Sequence, residues 1–264
     1  MPDLRCDTAE GTDRGSLLRP ALEAIRKHKL NNLFDIAQIS LKIEQLAAPL
    51  DSRKYLHRTG ELIQWLDDER SQNHILAKRL DLNALTEWQK DTKGFFSNKR
   101  GKFFKIVGVK TSSPGREVPA WSQPILDNEG TGIIGLLMKK LQGVTYFLMQ
   151  AKVDVGNRNI VQLGPTVQFN PGNYIDNEKL QKPFLFNEFQ HAQKFITVMD
   201  TMQAEEGGRF YKEENCHRIL MLPDRTELSV PPQYRWIAYA QIQFFLHLGD
   251  TVNSSARSIL SCLI

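Results

Sequence analysis

Residues 132–153 read GIIGLLMKKLQGVTYFLMQAKV. Two β-like runs stand in this stretch, 132–138 and 145–153, with Gly143 as the turn signal between them. Upstream, residues 103–109 (FFKIVGV) read as a strand entered from a turn at Gly101. Downstream, β-like runs recur at 159–168, 195–202 and 219–222, punctuated by Gly156-Asn157 and Pro171-Gly172-Asn173. Both ends of the chain switch to helical spacing. Leu18, Leu22 and Ile25, then Leu33, Ile36, Ile39, Ile43 and Leu46, recur at three- and four-residue steps. They predict helix over 17–50, with Pro20 in a first turn and Pro49 as a stop. A second helix is expected over 51–70, with Leu62, Ile63, Trp65 and Leu66 on or near one face. Helices over 233–248 and 254–262 close the chain. Strands in the middle with helices at the ends make an α+β pattern, and no internal repeat interrupts it.

The composition narrows the class. With 264 residues, 41% of them hydrophobic and 24% charged, the chain has ordinary soluble globular usage and fits one domain, alone or with an extension. Its longest apolar stretches, 133–138 and 146–149, fall far short of the roughly 20 residues a membrane helix needs. Residues 1–15 are polar and expected to fray, and their early acids (Asp3, Asp7, Glu10) do not suit a secretory signal. A cytoplasmic protein without a membrane partner is expected. The net charge of +4 suits an anionic small molecule and, with no Lys/Arg block, does not argue for nucleic acid. Cys6, Cys216 and Cys262 show no CxxC spacing, so they read as small buried residues rather than disulfides, zinc ligands or nucleophiles.

The absent motifs are informative. No GxGxxG, GxxxxGK[ST], HExxH or GxSxG occurs, and the six histidines never fall at metal-ligand spacing. A Glu-rich magnesium helix of the Nudix type is also missing, which speaks against metal-dependent pyrophosphate cleavage. The expected chemistry uses organic groups and binding geometry.

What the chain does carry is a series of polar residues set in strand-like segments: REVPAWSQPI (116–125), QAK (150–152), GNRN (156–159), QLGPTVQ (162–168), Asn173-Tyr174 and QAEEGGRFY (203–211). A buried polar group left unpaired costs about 1–3 kcal/mol. Either these residues wall a pocket that hydrogen-bonds a sugar or diphosphate, or strand alternation points each one to solvent.

These segments resemble those of the NDP-hexose 2,3-dehydratase family. The similar stretches are VPAWSQPILDNEGTGIIGLLMK, YFLMQAKVDVGNRNIVQLGPTVQ, GNY, QAEEGGRFYKEEN, YRWIAYAQI and VNSSARSILSCL, with a weaker upstream match from LIQWLDDERSQN to NKRGKFFKIVGV. The resemblance covers about residues 61–264 and leaves 1–60 as an N-terminal helical extension. It implies a Nudix-like mixed sheet flanked by helices, without the Nudix metal motif. Family members are expected to carry two tandem modules where this chain has one, and Ala204-Glu205 stands where the family has Ser-Glu.

The resemblance implies dehydration of an NDP-4-keto-6-deoxyhexose, with dTDP as the carrier, to a 3,4-diketo-2,6-dideoxy sugar. The 4-ketone acidifies the C3 hydrogen and acts as the electron sink, so neither metal nor redox cofactor is required. Glu205 is the expected base; Tyr211 or Tyr174 would protonate the leaving hydroxyl or donate to the enolate, and Lys152 would bind ketone or diphosphate. Substrate contacts are expected from Trp121, Gln123, Gln150, Gln162, Thr166, Gln168, Asn173, Gln203, Arg209, Arg235, Asn253 and Arg257. A homodimer and a downstream ketoreductase are the expected partners. A silent nucleotide-sugar-binding paralogue and an isomerase or epimerase are the alternatives.

Overall fold

The computed structural model describes residues 55–263 apart from 176, 178 and 193. The helix expected over 17–50 lies outside the described residues. The next one begins later than expected, as α1 (Thr59–Gln72). Glu61 Oε2 accepts the Arg58 backbone N–H at 2.9 Å, which satisfies one orphan donor at the helix start. Leu62, Trp65 and Leu66 are buried at i, i+3 and i+4, whereas Ile63 lies on the exposed side.

Two sheets follow. The first is an antiparallel meander of β1 (Trp88–Lys90), β2 (Phe96–Asn98), β3 (Phe104–Ser112) and β4 (Ala120–Asn128), in that spatial order. Trp88 stacks on Phe96 and tilts against Phe104, with centroids 6.0 and 4.9 Å away. The second sheet is mixed. It contains β5 (Gly132–Leu141), β6 (Val144–Val153), β7 (Val161–Gly164), β8 (Val167–Phe169), β9 (Ile196–Ala204), β10 (Glu214–Met221) and β11 (Tyr234–Ala238). Its main path runs β11-β6-β5-β10-β9, and β5 with β10 is its parallel pair.

Both faces of this sheet are covered, which is why β5 and β6 read as near-continuous apolar runs. On one face Leu136, Phe147, Met149, Ile219 and Ile237 pack with α1, with α3 (Tyr239–His247) and with α4 (Ser254–Ser261). On the other, Leu137, Tyr146, Leu148 and Leu220 meet Phe186 and Phe189 of α2 (Phe186–His191). Gly135 is required there, because a Cβ would fall 2.3 Å from the Phe189 ring. The architecture is α+β, a mixed sheet flanked by helices, as expected.

Two expectations are corrected. The run over 159–168 is two strands, broken at Pro165-Thr166. The closing helix over 233–248 is strand β11 followed by α3. β11 is buried on both faces, so its run of apolar residues carries no period that separates strand from helix.

The break at Thr166 shapes the site. β5 and β6 pair only where Met138–Leu141 meets Val144–Phe147. Toward the start of β5 they part, and residues 133–135 pair with β8 while residues 150–153 pair with β7. Thr166 is wholly buried in the fork. Its hydroxyl accepts from the Leu137 N–H at 2.8 Å and donates to the Leu148 carbonyl at 2.5 Å.

Candidate active site

A recess of about 310 Å³ opens where the parallel strands β5 and β10 both begin. Its lining includes Asn128 from the end of β4, Gly132, Lys152 from β6, Gln168 from β8, Asn173, and Glu213 with Asn215 at the entry to β10. Residues 213 and 215 share one side of an extended chain. The Asn215 amide donates to Glu205 Oε1 at 2.7 Å and reaches Glu213 Oε1 at 3.4 Å. Its orientation is set by the Gly132 N–H, which donates to Asn215 Oδ1 at 2.8 Å. Gly132 allows this approach, since a Cβ there would lie 2.4 Å from that oxygen.

The other Glu213 oxygen accepts from Asn128 Nδ2 at 2.5 Å. Burial pushes the Glu213 carboxyl above the usual glutamate range, and the negative charges of Glu205 and Asp127 add to the rise. The amide donors from Asn128 and Asn215 oppose it by stabilising the ionised form. Lys152 is ion-paired with Asp154 at 2.7 Å. The arrangement sets a half-buried carboxyl, held by neutral amides, in a cavity that Lys152 also lines. A titratable carboxyl and a cationic side chain thus border one recess.

A larger, open groove of about 1020 Å³ runs along β3 and β4 and is closed on one side by Gly207, Gly208 and Tyr211. Its aromatic wall is internally bonded. The Trp121 indole N–H donates to Gln123 Oε1 at 2.8 Å, and Gln123 Nε2 donates to the Gly208 carbonyl at 2.9 Å. The Arg116 guanidinium lies 5.4 Å from the Trp121 ring centroid. Trp121, Gln123 and Ile125 alternate along one side of β4, whereas Asn128 belongs to the other.

The expected site residues therefore divide. Lys152, Gln168 and Asn173 line the recess, with Glu205 tied to it through Asn215. Trp121, Gln123 and Tyr211 line the groove. Several others are engaged in the framework. Thr166 pins the strand fork. Gln162 bonds the Asp250 carboxylate. Asn253 caps α4 by accepting from the Ala256 N–H at 2.8 Å. Arg257 donates to the Val252 carbonyl at 2.6 Å, and Arg235 donates to the Pro232 carbonyl at 2.7 Å while lying over the Trp65 ring.

Tyr174 packs in an aromatic cluster with Phe169 and Phe186, and burial raises its phenol above the ordinary value. Arg209 is 72% exposed and pairs with Glu206, outside both cavities. Gln150 is a half-buried rung of β6 between Tyr234 and Gly164. Gln203, also half-buried, faces Asn215 in the β9–β10 ladder.

Sequence reasoning missed Asn128, Glu213 and Asn215. All three lie in stretches already singled out, ILDNEG and FYKEEN, and the alternation of 213 and 215 is the signal that pairs them. Among the described residues, no group of three His, Cys, Asp or Glu side chains gathers as a metal site, and no helix is long and apolar enough to cross a membrane.

The NDP-hexose 2,3-dehydratase family profile matches residues 59–263. A dTDP-4-dehydro-6-deoxy-alpha-D-glucopyranose 2,3-dehydratase of Streptomyces violaceoruber is 34% identical over 211 residues, covering 80% of this chain and 47% of that protein. The Saccharopolyspora spinosa protein of the same name is 31% identical over 206 residues, covering 78% and 42%. The chain thus spans about half the length of these relatives. Among solved structures, an ADP compounds hydrolase aligns at 12% identity and a TM-score of 0.36 over 70% of this chain and 94% of that one, too loose an overlap to compare sites.

Proposed function

The chain belongs to the NDP-hexose 2,3-dehydratase family, and on that premise we propose that it removes water across C2 and C3 of dTDP-4-keto-6-deoxyglucose. The observation that carries the reading is the recess, where Glu213, one member of an amide-held carboxylate cluster, lines one small cavity together with Lys152. A carboxylate of that cluster takes the C3 proton, and the C3–H electron pair becomes an enolate on O4. The Lys152 ammonium, with Asn173 beside it, holds the developing oxyanion. The enolate pair then forms the C2–C3 double bond as the C2–O bond breaks. The departing hydroxyl takes a proton and leaves as water. The remaining enol tautomerises to a 3,4-diketo-2,6-dideoxy sugar, a product suited to a ketoreductase.

The nucleotide is assigned to the groove, with Trp121 stacking on the base and Arg116 and Lys110 near the diphosphate. Residues 61–264 are the working module on this reading, acting in the cytoplasm. Association with a second copy belongs to it too, supported by the exposed apolar side chains Phe244, Leu246 and Leu248. A monomer by light scattering at micromolar concentration refutes that association.

Incubation of the full chain with dTDP-4-keto-6-deoxyglucose in deuterated water, followed by mass spectrometry, tests the activity. Loss of the mass of one water is expected. Deuterium uptake without that loss means an isomerase, and no change means a binding protein.

A further inference from the structure

We propose that Glu213 is the proton-moving group of the recess and that Glu205 is its positioning partner, acting through Asn215. This assignment rests on the dehydratase reading and refines it. Three observations separate the two carboxylates. Glu213 lines the cavity, and Glu205 does not. Both Glu213 oxygens are addressed by amide donors, Asn128 at 2.5 Å on one and Asn215 at 3.4 Å on the other. Glu205 instead holds the shorter bond to the shared amide, 2.7 Å, which anchors Asn215 rather than a ligand.

The main chains are linked as well, since the Glu205 N–H donates to the Glu213 carbonyl at 2.9 Å. Any shift of one carboxylate therefore disturbs the other. Neutral donors suit a group that must gain and lose a proton, because an ion pair would stabilise the charged form far more. The charged groups facing Glu213 are Glu205 just after β9 and Asp127 on β4, while Lys152, its ammonium paired with Asp154, also lines the recess. Burial and the two carboxylates favour the protonated acid, so Glu213 exchanges a proton closer to neutrality than an ordinary glutamate does. In the forward reaction it accepts the C3 proton as the ketone becomes an enolate. As the C2–O bond breaks, the same carboxyl is placed to return a proton to the hydroxyl, which restores its ionised form.

The test uses the full chain, dTDP-4-keto-6-deoxyglucose, and kcat/KM measured against pH. Glu213→Gln should lower turnover by about 10²–10⁴-fold and abolish C3 hydrogen exchange in deuterated water, with circular dichroism unchanged. Glu205→Gln removes a negative neighbour, so the acidic limb of the profile should move to lower pH. Asn128→Ala removes a donor to the ionised carboxylate, so that limb should move to higher pH. Opposite shifts from these two neighbours are a signature that a merely structural role does not produce. They also serve if Glu213→Gln fails to fold. A wild type that dehydrates beside an equally fast Glu213→Gln overturns this role alone. So does an acidic limb that stays put in both neighbours, or a Glu205→Gln loss equal to that of Glu213→Gln. A wild type that neither dehydrates nor exchanges the C3 hydrogen overturns the dehydratase reading itself, and the role with it.

Discussion

The groove on the first sheet is about three times the size of the recess in the second, at about 1020 against 310 Å³, yet the two are built on opposite plans. In the groove the polar atoms bond one another, as Trp121, Gln123 and Gly208 do in series, and the walls face open solvent. In the recess a carboxyl is half-buried, its charge is opposed by its surroundings, and Lys152 lines the same cavity. A large surface with its hydrogen bonds internally satisfied suits binding. A small one that perturbs a titratable group suits chemistry. Volume is a poor guide to which is which.

That contrast can be broken by substitution. After Glu213→Gln, the largest effect should come from Lys152→Met, which keeps the stem and removes the cationic donor of the recess. Loss of an oxyanion donor costs about 10²–10³-fold in kcat, with KM little changed. Should KM rise while kcat holds, the ammonium grips the ground state and belongs to the binding half. Gly132→Ala comes next. Its Cβ would displace the Asn215 amide, 2.4 Å away, and release both glutamates. Turnover should fall by about tenfold to a hundredfold, and stability should drop by about 1–3 kcal/mol, because the displaced Asn215 amide is buried and leaves the Gly132 N–H unpaired. Equal activity would show that the amide's position does not matter.

Trp121→Ala should do the reverse of Lys152→Met. An aromatic contact is worth about 0.5–1.5 kcal/mol beyond its area, so nucleotide binding by calorimetry should weaken about threefold to tenfold with kcat intact. A fall in kcat instead would move the chemistry to the groove. The smallest effect is expected from exhaustive chelation with EDTA. The rate should be unchanged, because the ketone is the electron sink, and a loss restored by a divalent ion would overturn that mechanism.

The scaffold was legible where one period dominates. The strands β3, β5, β6 and β9 fall close to the expected runs, as does α4 with Ala256, Ile259 and Leu260 on its buried stripe. Short elements were not: β1 and β2 have three residues each, too few for a pattern to show. The candidate site was legible only in part, and the reason is chemical. Gln162, Thr166 and Asn253 are polar residues in strand-like or capping positions, and each satisfies a backbone or side-chain partner inside the fold. From sequence alone such residues look the same as Lys152 or Gln168, which face a cavity. Glu213 looked like one more acid in a charged run. Only its burial beside Asn128, distant in the chain, sets it apart.

The recess is also a record of how the chain must assemble. Asn128 meets Glu213 across 85 positions, and Gly132 meets Asn215 across 83. Between them lie the β5–β6 hairpin, the Thr166 fork and α2, and the two ends are joined by a parallel ladder, which has no tight turn to nucleate it. Contacts of such long loops form late, after local hairpins have collapsed. Regain of activity on refolding should therefore trail regain of secondary structure. The recess works as a built-in completion signal, present only in chains that have closed this long loop.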